Sequence, residues 1–201
     1  MAMYLAGEQL FNDGDLKDWL DARLKEAFAY AESFTAENFA AYSDMALESA
    51  VMSRYRVPET HLFVDRAYFV EEQELTVAEA NLPMEGQPTE GANPLAPDTK
   101  LKSVTIAIPF QGPSQLLSMR PNVFSAHQAE GEIRGQEIWV NFVAAAVRED
   151  AIEYRFQQHI ALIERTLEVT QWQAMDFNTE LPLKLRPLLK SRRAALTGAK
   201  A

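Results

Sequence analysis

Three histidines, His61, His127 and His159, are the side chains here best suited to proton transfer near neutral pH or to metal ligation. No two are spaced as a ligand couple. His61 and Asp65 stand four residues apart in a segment that reads as a strand. There they share a face about 13 Å apart, too far for one metal ion. His159 falls in a helical pattern, and its nearest downstream acid, Glu164, is five residues away. Asp13 and Asp15 flank Gly14 as in a calcium loop, but Lys17 and Trp19 occupy positions such a loop gives to ligands. Asp65, Glu71, Glu72 and Glu74 could assemble a metal-dependent nuclease centre, yet the lysine expected just beyond a strand carboxylate is missing.

Nucleophilic chemistry finds equally little. There is no cysteine, which excludes thiolate nucleophiles, thiolate metal sites and disulfides. No Gly-x-Ser-x-Gly occurs; Gly112-Pro113-Ser114 is the nearest relative, and Pro113 removes an N–H that an oxyanion hole would use. The eight glycines form neither a dinucleotide fingerprint nor a Gly-Lys-Ser/Thr loop. The residues therefore call for no cofactor and no resident metal, and name no catalytic side chain.

Two segments read as surfaces. The first is a strand that empties into Phe110-Gln111-Gly112-Pro113, a turn that with Arg120 could form a binding lip. The opposing reading makes Leu116, Leu117 and Met119 a core plug beneath that turn. The second surface is the stretch 181–196. Leu181, Leu185 and Leu188 make an apolar stripe beside Lys184, Arg186, Lys190, Arg192 and Arg193. Such a helix suits an acidic protein surface, including the N-terminal half of another copy. Phosphates are the alternative, without the interleaved aromatic or amide groups that nucleic-acid binders use.

The elements that must position these residues follow from periodicity. Asp15 reads as the N-cap of a helix carrying Leu16, Trp19, Leu20, Leu24, Ala27, Phe28 and Ala31 at helical spacing. Thr35 with Asn38 reads as a second cap, opening one helix through Phe39, Tyr42 and Ala46 to about Arg54. Pro58 closes the helical part. Residues 61–70 and 72–78 read as strands. The Pro/Gly-rich stretch 80–100 reads as a flexible loop. Residues 102–109 form the clearest strand, with Val104, Ile106 and Ile108 on one face. A glycine-containing turn at 131–135 leads to a strand with Ile138, Val140 and Phe142 on one face. From Arg148 the pattern is helical to about Gln173; Asn178 reads as the cap of a second helix that Pro187 should kink or break. Blocks of helix, strand and helix predict an α+β fold: N-terminal helices (1–58), a mainly antiparallel sheet (59–147) and a C-terminal helical hairpin (148–196), in one domain.

At 201 residues, 47% hydrophobic and 24% charged, the chain has the composition of a folded domain. The net charge of −10 is unevenly spread: 19 acidic against 7 basic residues up to Lys100, then 10 against 12. No acid follows Glu180. Residues 1–11 lack the basic and apolar regions of a cleaved signal, and no apolar run reaches the ~20 residues of a membrane span. These features predict a cytoplasmic location away from the membrane.

IAIPFQGPSQLLSMRP, a following strand, a long helix and DFNTELPLKLRPLLKSRR together resemble uncharacterised bacterial proteins found near phage-defence or mobile-element genes. The resemblance spans 101–196 and implies a bacterial source and an accessory role, with no catalytic residues; the C-terminal end allows a longer chain. The leading expectation is an interaction or assembly module, self-associating or binding a protein through its C-terminal helices. One alternative is an enzyme or nucleotide-binding domain with a site scattered over residues such as Asp65, Glu72, His127 and Arg120. The other is nucleic-acid binding through Arg192 and Arg193.

Overall fold

A computed structural model describes residues 3–80, 98–122, 129–144 and 149–198. The expected loop 80–100 falls largely outside them, as does His127. The fold is α+β. Strand β4 (Lys100–Gln111) pairs antiparallel with β6 (Glu137–Ala144), and these two form the middle of the sheet. On the outer edge of β6 lie β1 (Met3–Ala6) and β5 (Glu132–Arg134); on that of β4 lie β2 (His61–Leu62) and β3 (Tyr68–Thr76). Sequence periodicity did not identify β1, whose four residues are too few to show alternation.

The register places Val104 opposite Phe142, Ile106 opposite Val140 and Ile108 opposite Ile138, as the alternation predicts. This face joins a core cluster with Phe156, Ile160, Ile163 and Leu167. Those four belong to α5 (Glu149–Thr197), a helix of 49 residues, about 73 Å at the standard rise. The opposite face of β4 is buried as well: Ser103 Oγ donates to Asn141 Oδ1 at 2.6 Å. Exposed β3 carries Glu71, Glu72 and Glu74, charges that blunt its edge against pairing with another strand.

A second core joins α5 to three N-terminal helices. Helix α1 (Leu16–Glu32) starts after Asp15 as expected, but the Asp15 carboxylate does not cap it; it takes Arg120 Nη2 at 2.9 Å. Thr35 and Asn38 form the expected capping box of α2 (Ala36–Ala41). That helix stops at Tyr42, because the Ser43 side chain accepts from Ala46 N and opens α3 (Asp44–Tyr55). The single helix expected over this region is thus two.

The expected helical hairpin is instead one helix that runs through Pro182 and Pro187. An interior proline costs about 3 kcal/mol or more. Leu181, Leu185 and Leu189 stand at four-residue steps on both sides of Pro187 and are buried with Leu47, Val51 and Phe39. They reach that core together only if the helical phase is kept. Three buried leucines at roughly 1.5–3 kcal/mol each are the right size to hold it.

The leucine stripe read as a docking surface is therefore core: Leu181 and Leu185 are buried and Leu188 half-buried within the chain. Its basic flank is also engaged internally. Arg186 makes a bidentate contact with Glu48 at 3.0 and 3.1 Å. Arg193 binds Asp44 Oδ1 at 2.6 Å and donates to the carbonyls of Phe39 and Tyr42, which end α2. Arg192 reaches the Phe34 carbonyl and Lys184 pairs with Glu180. Only Lys190, of the basic residues named for docking, makes no such contact among the described residues. The charge asymmetry of the two halves thus fastens the C-terminal helix to the N-terminal helices.

His159 lies on the sheet-facing side of α5, with its Nε2 2.6 Å from the Glu130 carbonyl and its ring edge-on to Phe142. Burial lowers its pKa below the usual 6.5, only partly opposed by that hydrogen bond. Below about pH 6.5 the unfolded chain therefore binds the proton first. The stabilisation is complete above that pH and is lost as pH falls through the folded value. The Glu130 carboxyl, raised by burial, works in the opposite direction. The denaturation midpoint should fall between about pH 7.5 and 5.5, and fall less in His159→Gln. Equal falls would assign the acid sensitivity to other groups.

Candidate functional site

Residues 56–60 connect α3 to β2, and α5 holds this linker through two amides. Asn178 pairs with Val57 in both directions: Val57 N–H donates to Oδ1 at 2.8 Å, and Nδ2 donates to the Val57 carbonyl at 2.8 Å. Gln171 Nε2 donates to the Thr60 carbonyl at 2.8 Å. Seven residues, about two turns, separate the two amides, so they share one face of the helix. On its other side the linker meets the exit of β4. Thr60 Oγ1 donates to the Pro113 carbonyl at 3.0 Å. Gly112, at φ +122°, lies so close that a Cβ there would stand 2.4 Å from the Glu59 carbonyl oxygen.

Between the linker and α5 runs a groove of about 1510 Å³. Leu116, Leu167 and Ala174 from the core line its depth. Met52 from α3 and Trp172 and Met175 from α5 line its walls. Trp172 is 62% exposed and Met175 54%. Small-molecule sites usually measure about 300–1,000 Å³ and enclose their ligand. A larger groove walled by exposed apolar side chains suits a polypeptide segment better.

The ionisable groups of the groove are Arg56, Glu59, His61, Glu164 and Glu168. His61 Nε2 lies 3.5 Å from Glu59 Oε2, both well exposed. A solvated pair of this kind has neither the burial nor the orienting third group of a catalytic dyad. Among the described residues, no three of His, Asp and Glu cluster so as to hold a metal ion.

The sequence-predicted lip is divided. Gln111 and Gly112 line one end of the groove. Phe110 is buried in the sheet core, and Arg120 binds Asp15 at the start of α1. Leu116 and Leu117 of α4 (Gln115–Ser118) are fully buried, the plug reading. The described residues of the enzymatic alternative are not gathered: Asp65 is exposed in the 3₁₀ turn Val64–Arg66, Glu72 of β3 pairs with Lys102 of β4, and Arg120 is engaged as above.

Sequence reading missed Trp172, Met175, Glu164 and Glu168. One signal was available. The buried stripe of α5 runs through Ile160, Ile163, Leu167 and Ala174. Trp172 lies off that stripe, and a large aromatic side chain on the outer face of a helix marks a contact surface. Among the described residues no helix is long and apolar enough to cross a membrane. No family model, curated protein or solved structure matches this chain.

Proposed function

We propose that this chain is a non-catalytic interaction module that binds a protein partner in the groove between α5 and the 56–60 linker. It would do so in the cytoplasm, as the accessory component that the resemblance of its second half implies. The observation that carries this reading is the exposure of Trp172 and Met175 over a groove whose opposite wall is pinned by Asn178 and Gln171. Aromatic anchors beside a rigid wall are the usual centre of a protein interface. A preorganised wall also lowers the cost of ordering on binding.

A photoreactive phenylalanine at position 172, introduced in living cells, should give one discrete crosslinked protein. Tyr154 is as exposed as Trp172, 62%, on the same helix but outside the groove, and the probe placed there should not give it. The captured protein, once purified, should bind this chain about tenfold more weakly after Trp172→Ala, a loss of about 1.4 kcal/mol. Identical crosslinks at both positions, or none at 172, would remove the proposal.

A further inference from the structure

We infer that the groove takes a cationic amphipathic helix from the partner, an inference that rests on the groove being the binding site. Its dimensions suit a helix. The lining positions of α5 run from Glu164 to Thr179, about 22 Å at the standard rise and so about four turns of a partner helix. The linker offers little to an added strand, because Val57 N–H, the Val57 carbonyl and the Thr60 carbonyl already bond to Asn178 and Gln171. What the groove presents is side chains, and side-chain anchors at steps of three and four residues are how a helix docks. Met52 and Met175 are flexible and polarisable, so they adapt to the apolar residues that enter beside Trp172.

The charge of the partner follows from the acids on the rim. Glu164 and Glu168 are one turn apart on α5, and Glu59 stands on the linker wall. Like charges at a four-residue step destabilise a helix slightly. Further along α5, Glu180 stands at the same step from Asp176 and is paired by Lys184. Among the described residues neither Glu164 nor Glu168 has an ion-pair partner, although Arg165 is adjacent in sequence. The groove holds a single cation, Arg56. Lysine or arginine on the flank of an incoming helix would neutralise these carboxylates. The net charge of −10 draws such a segment in and repels an acidic one.

Two dye-labelled peptides test this, each about 16 residues long with the same leucine stripe, one with lysine at every polar position and one with glutamate. By fluorescence anisotropy in low salt the lysine peptide should bind the full chain at least about tenfold tighter. Glu164→Lys with Glu168→Lys should lower its affinity about tenfold and raise that of the glutamate peptide. Reversing Asp18 and Asp21 on exposed positions of α1 removes the same charge away from the groove, and should change little. The inference is overturned if neither peptide binds, if both bind alike, or if the α1 reversal acts as strongly as the groove reversal. A persisting crosslink at position 172 in those cases would keep the groove and discard only the chemistry of its partner; loss of the crosslink would discard both.

Discussion

Gly112→Ala is expected to cost about 2–6 kcal/mol, a large part of the stability of a domain this size. Two effects add. The φ of +122° is one that side chains with a Cβ rarely adopt. The new Cβ would also stand 2.4 Å from the Glu59 carbonyl oxygen and 2.7 Å from Thr60 Cα. Both neighbours are backbone, so no rotamer change relieves the clash. One of the two segments must move. The linker is tied by Gln171 to Thr60 and by Thr60 to Pro113, while His61 and Leu62 pair with Gln111 and Phe110. Movement therefore strains the β2–β4 pairing and the groove wall together. Gly135→Ala supplies the control: its φ is +62°, and a Cβ there would meet nothing within 4 Å. That substitution should cost about 1 kcal/mol, the backbone effect alone. Urea denaturation of both variants decides the matter, and equal losses would show that the close approach at Gly112 is unimportant.

What was legible in the sequence was local. The strand at 102–109 announced itself because the β-branched Val104, Ile106 and Ile108 alternate with the smaller Ser103, Thr105 and Ala107, the two sets taking opposite faces of the sheet. The capping box at Thr35 and Asn38 depends on residues within one turn, and a single sequence holds all of that information; α1 starts where Asp15 predicts, but that carboxylate meets Arg120 instead of the helix N–H groups. The failures involve partners far along the chain. Asn178 has the residue type of an N-cap, but its amide is engaged by Val57, 121 residues earlier. Arg186 and Arg193 read as a free basic face, yet their acids are 138 and 149 residues away. The groove is assembled in the same way, from α3, the linker, β2, the end of β4, α4 and the middle of α5. No spacing rule joins those segments. Trp172 alone left a trace, by breaking the phase of its helix.

The second large effect concerns the tail of α5. Leu185→Ala should destabilise the protein by about 2–5 kcal/mol, through lost burial and the cavity left behind. Leu185 is fully buried, one turn from Leu181 and one from Leu189, and shares its cluster with Leu47 and Val51 of α3 and Ala27 and Ala31 of α1. Leu183, on the same two turns but 60% exposed, gives the comparison: Leu183→Ala should stay within about 0.5 kcal/mol. The contrast separates two accounts of the leucine stripe. A docking surface would let both substitutions fold normally and would show its loss only in association. A core lets Leu185→Ala fail in the isolated chain, at any concentration. The loss should also be uneven. Pro182 and Pro187 remove ladder bonds on either side of Leu185, so this stretch depends on packing more than an ordinary helix does. Hydrogen exchange in Leu185→Ala should therefore speed up first beyond residue 181, while amides near Ile160 and Ile163, held by the sheet, keep their protection. A loss under about 1 kcal/mol would return the stripe to the surface and reopen self-association as its role.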